Sequence, residues 1–320
     1  MTGSVISKAG KLFKRARAIH EIAANTKAET IITILEEANF PALVAHRIWR
    51  ISGKLIISTH NNSKAYSPVY KMLIRWLYPV ADLIITVSKE LSQNVGSIIP
   101  EAKDRVLTIY NPIDINAINE LKSVALDTEL HKKLDSKFNF VSVGRLSEQK
   151  NYPVTLKVFA KLRQEFPHTQ LVIIGGGSNK EVLKKMAADL GLAESVLLLG
   201  HCQNPFAILS RCQAFILNSL YEGFGIALVE AMSLGLPAIA SNCDFGPREI
   251  LNKDFGQPSI YGGIGDFGIL VPVNNEDKLL AAMKQLVTDQ GLRAELKNKG
   301  MRRAREFDIN RIIQAWHKLV

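Results

Sequence analysis

No run of apolar residues in this sequence is long enough to cross a bilayer. The longest, such as LVII (171–174) and VLLL (196–199), have the length of a strand. The basic start of the chain is not followed by the continuous apolar core of a signal peptide. Cysteine is scarce. Cys202, Cys212 and Cys243 are odd in number and lack metal-ligand spacing, so they read as reduced, buried thiols of a cytoplasmic protein, outside any disulfide framework. Acidic residues are short by ten, with 30 Asp and Glu against 40 Lys and Arg. A net charge of +10 asks for an anionic partner, whether nucleic acid, a membrane surface or a phosphorylated ligand. The zinc fingers and interleaved basic and aromatic residues of nucleic-acid binders are missing, which sets nucleic acid aside. There is no Asp-x-Asp pair either, so nothing calls for a metal on a diphosphate.

What is present fits a globular α/β protein. The 320 residues are 47% hydrophobic and 22% charged, enough for two ordinary domains. In residues 1–30, Lys8, Lys11, Lys14, Arg15, Arg17 and Lys27 alternate with Leu12, Phe13, Ala16, Ile19 and Ile22 at helical spacing. This basic amphipathic helix either packs by its apolar side or makes peripheral contact with an anionic membrane. Near-continuous apolar strands follow at 30–35, 54–59, 82–88 and 105–111, with helical patterns at 42–51 and 67–80 between them. A polar helical stretch, 116–137, leads to a second series of strands at 138–144, 170–176, 195–200, 214–219, 237–241 and 268–272. Alternating strands and helices predict two Rossmann-like domains facing one another across a cleft, with ligands at the carboxyl ends of the strands. We divide the chain into 1–118, 119–305 and a final helix, 306–320. The first series opens with a helix where a complete domain of this kind opens with a strand.

Four strand-end loops in the second series carry candidate chemistry. VGRLSEQKN (143–151) puts Arg145 and Lys150 just past a buried strand, with Gly144 permitting close backbone approach. A planar fork and a mobile point charge in one loop suit a diphosphate. IIGGGSNKE (173–181) is a glycine-rich turn in which Gly175 and Gly176 could let backbone amides face an anion; it lacks the dinucleotide G-x-G-x-x-G spacing. LLLGHCQNP (197–205) ends a strand at Gly200 and His201, where backbone groups could hold a flat base. NSLYEGFGIALVEAMSLGL (218–236) closes a strand at Ser219 and places Glu222 in the loop. Phe224, Gly225 and Ile226 then open a helix whose first amides suit a phosphate. Glu230 falls among residues that should be buried. A carboxylate there needs a partner or a hydrogen-bonding ligand, such as a diol.

EGFGIALVEAMSLGLPAIAS (222–241) resembles the Glu-seven-residues-Glu motif of retaining glycosyltransferases of family 4, which have the GT-B fold. VGRLSEQKN is similar to that family's donor loop, and VIIGGG to its glycine-rich turn. NCDFGPREIL (242–251) resembles a segment of the subgroup that builds surface polysaccharides and lipid-linked oligosaccharides. The resemblance covers roughly residues 30–320. It implies an α/β GT-B transferase with a nucleotide-diphosphate sugar as donor, a UDP-sugar favoured, no metal or other cofactor, and a glycan or polyprenyl-linked acceptor. It implies that Arg145 and Lys150 bind the diphosphate, Glu222 contacts the transferred sugar, and Glu230 binds the ribose. Amides at Phe224, Gly225 and Ile226 would hold the distal phosphate, with the base near Gly200 and His201. ISTHNNS (57–63) resembles the family's strand-end loop carrying a histidine that faces the donor sugar, which makes His60 the candidate acceptor-side catalytic group. Family members begin with a strand, glycine-rich loop, helix and strand that residues 1–35 do not match, so the first domain is expected to be truncated. A nucleotide-sugar-binding remnant without turnover and a sugar-nucleotide epimerase of the same fold remain as alternatives.

Overall fold

The structure, a computed structural model, describes residues 5–60, 67–253 and 263–319. The chain separates into two units, Met1–Tyr110 with Ala315–Val320, and Asn111–Gln314. The first holds four parallel strands in sequence order: β1 (Thr30–Ile34), β2 (Lys54–Thr59), β3 (Leu83–Thr86) and β4 (Val106–Thr108). β2 is the most enclosed, with Leu55 to Thr59 all buried, as its unbroken apolar run requires.

The N-terminal helix, Val5–Thr26, packs part of its apolar side within this unit, with Phe13 and Ile22 left exposed. Ala16 and Ala23 pack with Ala45 and Ile51, and the Phe13 ring lies 5.4 Å from that of Trp49. The packed reading of this helix is the one realised, although Lys11, Lys14, Arg15 and Arg17 remain exposed. Among the described residues no helix is long and apolar enough to cross a membrane.

The second unit carries β5 (Phe138–Val143), β6 (Thr169–Ile174), β7 (Val196–Gly200), β8 (Ala214–Leu217), β9 (Ala238–Ser241), β10 (Gly263–Ile264) and β11 (Ile269–Val271). Their order is β10-β11-β9-β8-β5-β6-β7, all parallel except β10. β5 lies at the point of reversal, paired with β6 on one side and β8 on the other. Ligands of doubly wound sheets bind beyond the carboxyl ends of the two strands at such a reversal. Phe140, Leu171, Ile173 and Ile216 on these strands form one core with Leu156 and Phe159 of the helix Tyr152–Glu165.

One expectation is refined and one is corrected. The polar stretch 116–137 forms two helices, Ile115–Leu121 and Thr128–Asp135. Asp127 restarts the helix by accepting from the amides of Glu129 and Leu130 at 3.0 and 3.2 Å. Of the three cysteines only Cys243 is buried; Cys202 and Cys212 are half-buried, and all three are free.

Candidate donor-binding site

The loops after β5 and β8 meet at the reversal and are stitched together. The Leu220 amide donates to the Gln149 carbonyl at 2.8 Å, and Gln149 Nε2 donates to the Tyr221 carbonyl at 2.9 Å. At the centre, Lys150 Nζ lies 2.6 Å from Glu222 Oε1, with side-chain exposures of 15% and 8%. Ser219, fully buried, donates from Oγ to the same oxygen at 2.6 Å. Ser241 at the end of β9 fixes Ser219 in turn, its hydroxyl donating to the Ser219 carbonyl at 2.5 Å. An ion pair this enclosed is held because each charge has the other and the carboxylate has the Ser219 hydroxyl as well. The Lys150 stem crosses the face of Gly144, where a Cβ would fall 2.7 Å from Lys150 Cε. Behind it Tyr152 donates from its hydroxyl to the Gly144 carbonyl at 3.3 Å; burial pushes its phenol up to about 12, so it stays a donor.

Arg145 sits apart from this pair. It is exposed, and among the described residues its guanidinium has no partner. Two cations thus follow one strand end, one held in an ion pair and one exposed, an arrangement that suits an incoming diphosphate.

Gly175 does something other than expected. Its amide donates to the Gly200 carbonyl at 2.7 Å, so it is not free to face an anion. With φ at +149°, it brings the ends of β5, β6 and β7 within touching distance: a Cβ would fall 1.9 Å from the Gly144 oxygen. The Gly176 carbonyl is likewise taken, by the Leu146 amide at 2.9 Å. His201, exposed, stands beside Gly176.

The helix Ile226–Ser233 starts at Gly225, which adopts φ +102° and supplies no side-chain cap. Its first-turn amides therefore point past the helix end unanswered by a side chain. Phe224 contributes backbone only, because its ring is buried edge-on against Phe307 at 5.4 Å. Leu228, Val229, Ala231 and Met232 turn inward, leaving Ile226 and Glu230 together on the open side. Glu230 is thus half-buried, where its apolar neighbours had suggested full burial. Its carboxylate has no partner among the described residues, and burial raises its pKa.

Sequence reasoning missed Ser241, and also Asp244, whose carbonyl accepts from the Glu222 amide at 3.3 Å. Both lie on the strand and turn after β8, and only the sheet order brings them here.

His60 belongs to the first unit, one residue past β2. Ser58 Oγ and His60 Nε2 lie 3.0 Å apart, and desolvation lowers the imidazole pKa, with Glu36 partly opposing, so the ring is neutral at pH 7. Glu36 is itself buried and accepts from Thr59 Oγ1 at 2.6 Å. The rest of that loop, 61–63, lies outside the described residues.

Comparison with known proteins agrees with this architecture. Residues 127–303 match the family described as glycosyl transferases group 1, and residues 5–117 match glycosyltransferase family 4. An uncharacterized glycosyltransferase of Methanocaldococcus jannaschii is 30% identical over 97% of this chain and 83% of its own length. A Campylobacter jejuni protein, N-acetylgalactosamine-N,N'-diacetylbacillosaminyl-diphospho-undecaprenol 4-alpha-N-acetylgalactosaminyltransferase, is 32% identical over 89% of this chain and 74% of its own. The crystal structure of Anabaena Alr3699/HepE in complex with UDP superposes with a TM-score of 0.78 at 20% identity, covering 96% of this chain and 81% of that one. The fold is the two-domain α/β GT-B fold.

Proposed function

The chain belongs to the group 1 glycosyltransferases, and we propose that it moves a sugar from a UDP-sugar to a glycan or polyprenyl-linked acceptor with retention of configuration. The observation that carries this reading is the enclosed Lys150–Glu222 pair, set at the sheet's reversal with an uncapped helix start and the exposed Arg145 in the same unit. The names of relatives add direction: the Campylobacter protein acts on an undecaprenol diphosphate-linked sugar, and the Anabaena protein was crystallised with UDP. Such an acceptor puts the reaction at the cytoplasmic face of a membrane, in surface polysaccharide or glycoconjugate synthesis.

In the reaction, the bond from the sugar's anomeric carbon to the β-phosphate oxygen breaks and the diphosphate keeps the electron pair. Arg145, Lys150 and the amides at Gly225 and Ile226 balance the charge that appears there, in a site that need not reorganise to do so. The acceptor hydroxyl attacks from the face the diphosphate leaves and passes its proton to the departing phosphate oxygen. Glu222 positions the transferred sugar, Glu230 takes the ribose hydroxyls, and no covalent nucleophile of the protein is involved. His60, neutral at pH 7, serves the acceptor side. The test is a screen of UDP- and GDP-sugars for binding, followed by mass analysis of a prenyl diphosphate-linked acceptor and assignment of the new anomeric centre. A mass increase with the donor's anomeric configuration is expected. An inverted linkage, release of an epimerised free sugar, or nucleotide binding with no transfer would each sink the proposal.

Glu230 gives a second check with opposite signs in two measurements. Because burial raises its pKa in the folded chain, the charged form is disfavoured there. Its contribution to stability is present below the ordinary carboxylate value of 4.5 and is lost as the pH rises through the raised folded value. Glu230→Gln should therefore raise the melting temperature at pH 7 while weakening UDP binding by about tenfold, a hydrogen-bonded charge being worth roughly 1.5–3 kcal/mol. Unchanged UDP affinity in a calorimetric titration would remove Glu230 from the ribose.

A further inference from the structure

Charge is divided unequally between the two units. Met1–Tyr110 with Ala315–Val320 carries sixteen Lys and Arg against eight Asp and Glu, a net +8. Asn111–Gln314 carries twenty-four against twenty-two, a net +2, although it holds the loops assigned to the donor diphosphate. The donor therefore does not account for the excess in the first unit. Between Glu37 and Asp82 the sequence has no acidic residue and six basic ones.

Within that acid-free segment lies the helix Pro68–Leu77, begun by Ser67, whose Oγ accepts from the Tyr70 amide at 3.3 Å. Its inward side is already complete. Ile74 and Leu77 are buried, and Tyr70 meets Phe40 edge-on at 5.1 Å. Yet the opposite side is apolar as well: Val69, Met72 and Trp76, spaced three and four residues apart, are 63%, 63% and 56% exposed. Nothing in the folding of this unit requires those three residue types on the outside, and a stripe of that kind marks an interaction surface. Cations stand beside it, while the acids Glu36 and Glu37 face the helix at Tyr70. Arg75 is exposed beside it, Lys71 lies on the same helix, and the Arg47 guanidinium sits 4.3 Å over the Trp76 ring. Ile48, next to Arg47, is 51% exposed.

We propose that the helix Pro68–Leu77 docks this chain on an anionic lipid bilayer. Val69, Met72 and Trp76 enter the boundary between headgroups and acyl chains, while Lys71, Arg75 and Arg47 lie among the lipid phosphates. The sign of the surrounding charge selects this occupant. A second copy of the chain would bring one positive face against another, whereas an anionic bilayer offers both apolar depth and the opposite charge. Tryptophan suits the interface, and the long basic side chains reach up to the headgroups from a helix lying in the membrane plane. The inference is independent of the transfer reaction, since vesicle binding is measured without donor or acceptor.

The test is co-sedimentation of the full chain with vesicles of phosphatidylcholine alone, and with roughly one part in three phosphatidylglycerol, at low and high salt. Binding to the anionic vesicles alone, weakened by salt, is expected. Val69→Ser, Met72→Ser and Trp76→Ser combined, which leave the charge unaltered, should weaken that binding by about tenfold or more. Lys71→Glu with Arg75→Glu should abolish the preference for anionic lipid. All five side chains lie outside the core, so circular dichroism and melting temperature should match the parent and certify the fold. Equal vesicle binding by parent and triple variant would overturn the proposal, as would no binding at all. A concentration-dependent dimer that the triple variant dissolves, with vesicle binding unmoved, would assign the stripe to a second copy instead.

Discussion

Lys150→Ala should lower turnover by about 10²-fold at saturating donor, the scale on which one group stabilising a developing oxyanion acts. The loss has two separable parts. The first is chemical: the charge that appears on the leaving diphosphate loses its enclosed cation. The second is structural, because Glu222, at 8% side-chain exposure, would keep among the described residues only the Ser219 hydroxyl as side-chain partner. Removing one member of a buried pair typically costs about 3–5 kcal/mol, so the melting temperature should also fall. Combining Lys150→Ala with Glu222→Ala should restore much of that stability and none of the turnover. Arg145→Ala makes the contrast. Its side chain is exposed and unpartnered among the described residues, so the same order of loss in turnover should come with no change in melting temperature. If single-turnover rates of Lys150→Ala equalled those of the parent, the diphosphate assignment would be wrong.

How much of this was visible in the sequence follows from what each signal depends on. The strands of a parallel sheet are covered on both faces, so β2, β5 and β6 read as near-continuous apolar runs and were legible at once. β10 is two residues long and antiparallel at the sheet edge, too short to carry any period. Arg145, Lys150, Glu222 and Glu230 were legible as charges at strand ends or in apolar company. Their partners were not. Lys150 and Glu222 are 72 residues apart and meet only because the sheet order sets β5 beside β8. Hydrophobic spacing likewise placed Glu230 on an apolar helix but did not show which side of it stays open. The stripe on Pro68–Leu77 was hidden for the opposite reason: an apolar residue facing out looks the same in sequence as one facing in.

Gly175→Ala should be among the most damaging small substitutions in the second unit. A methyl at that position would lie 1.9 Å from the Gly144 oxygen and 2.8 Å from its carbonyl carbon, backbone atoms that no rotamer change can move aside. The φ of +149° is itself strained for any side chain. Relief requires the ends of β5 and β6 to part, which breaks the hydrogen bond from the Gly144 amide to the Ile174 carbonyl at 2.9 Å and displaces Gly144, over which Lys150 is laid. A loss of about 4 kcal/mol or more is expected, in the range reserved for forced backbone and core clashes. UDP binding should fall below detection even at temperatures where the chain remains folded. Gly10→Ala calibrates the effect: it lies in the helix Val5–Thr26 with nothing within 4 Å of the added atom, and should be stabilising by about 0.5–1 kcal/mol. Thermal melts and UDP titrations of the two variants side by side decide the matter. A Gly175→Ala chain that melts and binds like the parent would show that the three strand ends do not need to touch for the donor loops to hold their shape.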